Sequence, residues 1–216
     1  MIQFTHIQTH GGSPGFVTGI TDLDIVTIGG ATHLVSISGQ AGGVSSYVVN
    51  TGAPIAALLS DHQSHAVAET FGIVPLRIDF IDDSGGPAVI AFGGMEPGLF
   101  GYDVASGSGG MSVAQAISVG TSADGAVTAF QAATIGGQMF YYAAHYLTGG
   151  LTTYEVVNGS ATQVDQDGGS SGYQGVDITD MVHATVGADS YLFTASIVQN
   201  AVSAYRIAGD GTPQLT

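Results

Sequence analysis

The 216-residue chain contains no cysteine, no lysine and only two arginines, Arg77 and Arg206. The absence of cysteine excludes disulfides, thiolate catalysis and cysteine-ligated metals. Seventeen acidic residues against two basic ones give a formal net charge of −15. A chain of this charge repels phosphate backbones and anionic lipids, so we expect neither nucleic acid nor a membrane surface as a partner.

Long apolar runs are also missing. No run approaches the roughly 18 apolar residues that a membrane span needs, so we expect no membrane insertion. The N-terminal MIQFTHIQTH lacks the basic and apolar regions of a secretory signal peptide. The apolar residues make up 44% of the chain and are spread in short runs, which supports a sizeable core and argues against disorder.

The chain does contain an internal repeat. Four similar stretches, SSYVVNTG, FGYDVASG, TTYEVVNG and SAYRIAGD, are centred on Tyr47, Tyr102, Tyr154 and Tyr205. A pair of small residues precedes each of them: Gly29–Gly30, Gly85–Gly86, Gly136–Gly137 and Gly187–Ala188. The second member of the pair lies 17, 16, 17 and 17 residues before the tyrosine. Two markers that keep register through four copies indicate a repeated structural unit.

Each unit is predicted to hold four short strands joined by tight turns. Apolar runs flank each small-residue pair, the tyrosine segment alternates between two faces, and a weaker fourth run follows. Gly-Gly and Asn-Gly supply the positive φ angles of two-residue hairpin turns. The chain is therefore predicted to be all-β, a β-propeller or propeller arc of four repeated four-stranded antiparallel blades.

The repeat units are placed at 20–72, 73–122, 123–172 and 173–216, within one domain over 1–216. Two closures stay open: an N-terminal strand over 2–9 closes the last blade, or the chain is an arc of a larger ring. The last unit favours the arc, because its fourth strand would only begin at GDGTPQLT. The segment SDHQSHAVAETFG (60–72) breaks the pattern and is predicted as a short helix or a long inter-blade loop.

One family resemblance covers nearly the whole chain. TDLDIVTIGGATHLVSISGQAGGVSSYVV and its relative ITDMVHATVGADSYLFTASIVQNAVSAYRI resemble the propeller-type repeat region of large secreted calcium-binding (RTX-like) alphaproteobacterial proteins. The resemblance implies type I secretion without an N-terminal signal peptide and an extracellular or cell-surface location. The calcium-binding nonapeptide G-G-x-G-x-D of that family is absent here, so the resemblance does not extend to calcium binding.

The third unit is the most aromatic. MFYYAAHYLTGG places Tyr141, Tyr142, His145 and Tyr146 in one strand and turn, which suits sugar stacking or a protein interface. The alternative is packing between blades. For the four tyrosines that mark the repeat, packing is the interpretation that we favour, because a residue recurring at one blade position is a structural element.

Calcium is the one cofactor that the acidic loops suggest. DDSGG and DQDGG set paired carboxylates beside glycine turns, as oxygen-ligated cations require. The candidate carboxylates are Asp82, Asp83, Asp165 and Asp167. Ordinary Asp-Gly turn chemistry is the alternative. Two histidine pairs, at 6/10 and 62/65, have no obvious third ligand in sequence, so a zinc site is not expected.

Catalytic signatures are missing from the sequence: there is no G-x-S-x-G, H-E-x-x-H or phosphate-binding loop. The sequence therefore favours a non-enzymatic extracellular module that binds cell-surface polysaccharide or protein, with self-assembly among its partners. Two alternatives stay open, the propeller domain of a polysaccharide-degrading enzyme and a calcium-stabilised scaffold. Function is expected where the copies differ, at 60–72, 141–146 and 165–175.

Overall fold

The computed structural model describes residues 19–28, 30–38, 43–50, 56–64, 77–83, 86–92, 99–105, 108, 110–112, 115–117, 127–145, 150–157, 160–167 and 178–216. Sixteen β-strands and no helix occur within these ranges. They accordingly contain no helix that is long and apolar enough to cross a membrane.

The strands form four antiparallel sheets, each built of four strands that are consecutive in the chain. Sheet 1 contains β1 (Ile20–Ile28), β2 (Ala31–Ser38), β3 (Gly43–Asn50) and β4 (Ala56–Ser64). Sheet 2 contains β5 (Arg77–Asp83), β6 (Gly86–Phe92), β7 (Leu99–Asp103) and β8 (Gln115–Ile117). Sheet 3 contains β9 (Val127–Ile135), β10 (Gln138–His145), β11 (Leu151–Val157) and β12 (Ser160–Asp167). Sheet 4 contains β13 (Ile178–Val186), β14 (Asp189–Ser196), β15 (Ala201–Ile207) and β16 (Pro213–Leu215). The prediction of four four-stranded antiparallel sheets is confirmed for the described residues, and the bounds of the repeat units stay a prediction.

The glycine pair at the third marker makes the first hairpin turn of sheet 3. Gly136 and Gly137 have φ angles of 61° and 89° and connect β9 to β10, which pair from Ile135 and Gln138 onwards. Two successive positive φ angles define a type I′ turn, whose twist matches that of the flanking strands. Glycine adopts these angles without steric cost, so this marker recurs for a backbone reason.

Consecutive sheets contact one another through their first strands: β1 contacts β5, β5 contacts β9, and β9 contacts β13. Because the sheets converge there, the first strands form the inner side of the arrangement. A series of four-stranded antiparallel meanders is also the construction of β-propellers. Among the described strands, contacts of this extent do not join β13 to β1, and the series of four sheets from β1 to β16 is called the arc below.

Each sheet has a leading face, turned towards the preceding sheet, and a trailing face, turned towards the following one. Between sheets 3 and 4 these faces enclose one apolar core. It combines Ala129, Ala133, Ile135, Phe140, Tyr142, Ala144 and Leu151 of sheet 3 with Ile178, Met181, Leu192, Tyr205 and Ile207 of sheet 4. A second cluster covers the leading face of sheet 3 and contains Val127, Phe130, Tyr141, Ala143, Tyr154 and Val156. Alternate residues of the same strands thus serve two different cores.

The repeated tyrosines are packing residues, as predicted. Tyr47, Tyr102, Tyr154 and Tyr205 are at most 4% exposed. The tyrosines of sheets 1, 3 and 4 pair across the sheet with Leu34, Tyr141 and Leu192. Cross-strand partners share a face, so the ring belongs to the leading face each time.

The expectation for 60–72 needs correction. Residues 60–64 belong to β4, whose pairing with β3 continues from Asp61↔Ser46 to Ser64↔Gly43. A helix or loop is therefore wrong for these five residues, because the sheet resumes pairing beyond the register shift at Ser46/Tyr47. Residues 65–72 and the strand predicted at 2–9 lie outside the described residues.

A side-chain hydrogen bond ties sheet 3 to the last turn of sheet 4. The Tyr142 hydroxyl donates to the carbonyl oxygen of Gly211 at 2.9 Å. Gly211 has a φ of +84°, and a Cβ at this position would collide with the ring of Phe140. The turn backbone therefore approaches the aromatic core more closely than any other residue type allows.

Gly211→Ala is expected to lower the free energy of unfolding by about 1–3 kcal/mol, because the methyl group meets Phe140 and the positive φ strains an L-residue. Gly209→Ala in the same turn is the matched control, since a Cβ there meets no atom within 4 Å. Urea unfolding at one protein concentration measures both. Equal stability of the two variants would show that the close approach to Phe140 is unimportant.

Candidate functional site

The aromatic residues singled out in the third unit lie inside the cores. Tyr141, Tyr142 and His145 on β10 are 5%, 0% and 2% exposed. Tyr141 meets Phe130 edge-on, with ring centroids 5.2 Å apart, whereas Tyr142 lies in the core shared with sheet 4. A sugar cannot stack on rings enclosed between sheets, so the packing alternative accounts for these residues. Tyr146 lies outside the described residues.

The four predicted calcium ligands lie in strands and not in turn loops. Asp82 and Asp83 end β5 in sheet 2, and Asp165 and Asp167 belong to the last part of β12 in sheet 3. The structure does not place the two pairs in one sheet. Within the described ranges, no group of three or more His, Asp or Glu side chains could hold a metal ion. Calcium binding stays a prediction.

The inner strand of sheet 1 carries two carboxylates on its trailing face. Asp22 and Asp24 pair across the sheet with Ile37 and Val35 of β2, both of which are buried. Alternate residues of a strand share a face, so the two aspartates lie about 7 Å apart along β1. Each carboxylate accepts a hydrogen bond from the following backbone amide, at 2.9 Å for Asp22 and 2.7 Å for Asp24.

These surroundings raise the pKa of Asp24. Burial beside apolar side chains is the largest cause, the hydrogen bond from the Ile25 amide opposes it, and the charge of Asp22 adds to it. A carboxyl group with a raised pKa beside a second carboxylate is an arrangement that acid–base chemistry uses. The neighbouring inner strand β5 carries a further aspartate, at position 79.

A cleft of about 410 Å³ lies at the edge where sheets 3 and 4 meet. Its polar side chains are Asp189, Ser190, Arg206 and Gln214. Arg206 donates a 2.6 Å hydrogen bond from Nη2 to Asp189 Oδ1, and this partner raises the pKa of the guanidinium. The two side chains are 57% and 41% exposed. An ion pair so exposed contributes little to stability, and both groups can reach a ligand.

The cleft offers a carboxylate, a guanidinium, an amide and a hydroxyl within a small volume. Together they supply hydrogen-bond donors and acceptors on one surface. A neutral ligand rich in hydroxyl groups matches this set, whereas the net charge of −15 disfavours an anion. A sugar chain is the class of ligand that this chemistry fits.

Two histidines lie in the interfaces between sheets. His33 on β2 is fully buried on the trailing face of sheet 1, and neither ring nitrogen has a hydrogen-bond partner in the described part of the chain. Burial lowers the pKa of His33, and it lowers the pKa of His183 on β13 in the same way. The folded protein therefore favours the neutral imidazole at both positions.

Asp24, Asp189 and Arg206 were not among the site residues predicted from the sequence. Asp24 had a usable signal, because TDLDIV sets two carboxylates two residues apart on a predicted strand. No sequence signal predicts the cleft, because it forms where a turn of sheet 3 meets three strands of sheet 4.

No protein-family model matches the chain, and no curated protein matches it. The chain does match solved structures. It is similar to a provisionally assigned 6-phosphogluconolactonase from Bacteroides fragilis, with 15% identity, a TM-score of 0.63, and 91% of this chain and 53% of the other covered. An α-L-arabinofuranosidase from Clostridium thermocellum shows 12% identity and a TM-score of 0.61, with 90% and 71% covered.

A third similar structure is an exo-β-1,3-galactanase from Phanerochaete chrysosporium, with 10% identity and a TM-score of 0.57, and 91% of this chain and 48% of the other covered. At these identities the likeness concerns the fold alone. The chain spans about half the length of the two first similar structures, both provisionally assigned 6-phosphogluconolactonases, at 53% and 52%.

The usual pKa of histidine is 6.5, and burial lowers the pKa of His33 below it. As the pH drops below 6.5, the unfolded chain binds a proton at this residue more readily than the folded chain does, so the free energy of unfolding is expected to fall. The contribution of His33 to the free energy of unfolding is complete above pH 6.5. It is lost as the pH falls towards the lower pKa that His33 has in the folded protein. His33→Leu should flatten the pH dependence between about pH 7.5 and 5. Ser46→Ala, at another buried polar position, should keep the wild-type slope. Urea titrations at several pH values test this, and an unchanged slope in His33→Leu would contradict it.

Proposed function

We propose that the chain is the propeller domain of a polysaccharide-degrading enzyme, with Asp24 as the proton donor and Asp22 as the base. The observation that carries this proposal is the pair of aspartates on the inner strand of sheet 1, where burial raises the pKa of one of them. The similarity of fold to an arabinofuranosidase and a galactanase supports it. Sequence alone had favoured a non-enzymatic module, which becomes the second candidate.

A pair of carboxyl groups can cleave a glycosidic bond by two routes. One carboxylic acid protonates the leaving glycosidic oxygen, and the second group either attacks the sugar at about 5–5.5 Å separation or activates water at about 6.5–9.5 Å. The Cα atoms of alternate residues on one strand are about 7 Å apart, and the separation of the carboxyl groups themselves decides between the two routes. Asp24 is assigned as the acid because burial raises its pKa, which favours the protonated form that a proton donor needs.

Asp24→Asn and Asp22→Asn are each expected to lower kcat on neutral polysaccharides, such as arabinan and β-1,3-galactan, by about 100-fold or more. Loss of Asp24 should also remove the alkaline limb of the pH–rate profile, because that limb reports deprotonation of the acid. Asp180→Asn is the matched control. Asp180 is the counterpart of Asp22 on β13 and accepts a hydrogen bond from the next amide in the same way, at 3.0 Å. Full turnover by Asp24→Asn would refute its role.

A carbohydrate-binding module without catalysis is the second candidate, and the polar cleft favours it. Asp189 and Arg206 are held together by a 2.6 Å hydrogen bond yet remain exposed, so they are oriented before a ligand arrives. Orientation in advance reduces the entropy that binding costs. The predicted extracellular location fits both candidates and stays a prediction.

Arg206→Gln and Asp189→Asn should each weaken binding to a soluble polysaccharide by about tenfold, because each removes one partner of the oriented pair. Affinity electrophoresis and a glycan array measure this. Gln163→Ala is the control, since Gln163 is an exposed residue of β12 that does not line the cleft. Unaltered polysaccharide binding by both cleft variants would show that the cleft is not the binding site. Binding without turnover would select the module over the enzyme.

A further inference from the structure

The trailing face of sheet 4 exposes apolar residues at positions that are buried in sheet 3. The repeat markers align Val202 with Leu151 and Val186 with Ile135. Leu151 and Ile135 are 1% and 7% exposed, whereas Val202 and Val186 are 75% and 59% exposed. Sheet 4 covers the trailing face of sheet 3, and no described sheet covers the same face of sheet 4.

The leading side of β1 shows the complementary exposure. Ile20 and Leu23 correspond to Ile178 and Met181 of β13. In sheet 4 these positions are 1% and 7% exposed and pack on sheet 3, but in sheet 1 they are 42% and 54% exposed. Ile25 on the same face is 67% exposed. Tyr47 on β3 is already buried, so the uncovered area is confined to the inner strand.

The contact between sheets 3 and 4 shows which surface fits such a face. Gln131 on β9 accepts a 3.1 Å hydrogen bond from the backbone amide of His183 on β13, and the two inner strands lie against each other. In the repeat, the counterpart of Gln131 is Val182 and the counterpart of His183 is Ile25. Val182 is 54% exposed. The Ile25 amide already donates to Asp24 Oδ1, so the counterpart positions at the two ends of the arc offer two exposed apolar side chains and not a second copy of this hydrogen bond.

We propose that the open trailing face of sheet 4 binds the exposed apolar side of the β1 strand of a second copy of this chain, head to tail. The occupant is a second copy because the chain itself carries both surfaces, one at each end of the arc. Two arcs of four sheets total eight, which is within the range of propeller blades. Head-to-tail contacts close into a ring when the rotation permits, so two copies would leave neither apolar end in water.

The net charge of the chain determines how the proposed contact between two copies depends on salt. Each copy carries a formal charge of −15, so two copies repel one another at long range. Salt screens this repulsion, while the apolar contact itself persists. The dimer should therefore strengthen as the salt concentration rises, the opposite of an assembly held by ion pairs.

Sedimentation velocity of the full chain over about a hundredfold range of concentration tests the proposal. The wild type should show the mass of two chains, and more of it at higher salt. Val182→Asp and Ile25→Asp should each raise the dissociation constant about tenfold or more, because each buries an unpaired charge in the contact. Both residues are exposed in one copy, so folding should be preserved. Ile197→Asp is the matched control, at a 70% exposed apolar residue of the β14–β15 turn.

An equimolar mixture of the two variants gives a further test. The Ile25→Asp copy retains an intact sheet 4, and the Val182→Asp copy retains an intact β1, so the mixture should form more dimer than either variant alone. A monomeric wild type at every concentration and salt level would overturn the proposal. So would a dimer that Val182→Asp disrupts and Ile25→Asp does not, because that result indicates a two-fold contact between two copies of sheet 4.

Discussion

Burial of each sheet's trailing face by the leading face of the next sheet is the interaction on which the whole structure depends. A four-stranded meander with apolar residues on both faces is not stable alone in water. Tyr205 and Leu192 close the core over Phe140 and Tyr142, while Tyr154 and Tyr141 cover the opposite face of the same sheet. The repeated tyrosine is therefore the side chain by which one sheet is fixed to its predecessor.

Polar groups within these interfaces fix how one sheet is oriented on the next, and the proposed acid–base chemistry also depends on polar groups beside buried residues. The bond from Tyr142 to Gly211 and the bond from the His183 amide to Gln131 fix how sheet 4 sits on sheet 3, because a hydrogen bond is directional and apolar contact is not. Within sheet 1, the pairing of β1 with β2 sets Asp24 beside the buried residues Val35 and Ile37. Packing that stabilises the sheets thus also produces a carboxyl group with a raised pKa, and the proposed function depends on that packing.

The sequence predicted the fold more completely than the site. Gly136 and Gly137 marked a type I′ turn, and the tyrosine spacing marked the strands, because both are local requirements of backbone geometry. The site was harder to predict. Tyr141 and Tyr142 suggested a stacking surface, but alternate residues of β10 face two cores and both rings are buried. Residues 60–64 looked like an interruption of the repeat, yet their backbone hydrogen bonds to β3 outweigh their polar composition.

The sequence by itself determined the number of sheets, their four-stranded form, their order along the chain and the packing role of Tyr47, Tyr102, Tyr154 and Tyr205. Each of these follows from spacing within one unit, which a linear pattern records. Tertiary structure alone decided how far Asp24 is buried, that Arg206 and Asp189 line one cleft, and that Val182 and Ile25 remain exposed. Each of these depends on which face of one sheet meets another, and the register between separate sheets is set by side-chain packing over distances that no local pattern encodes.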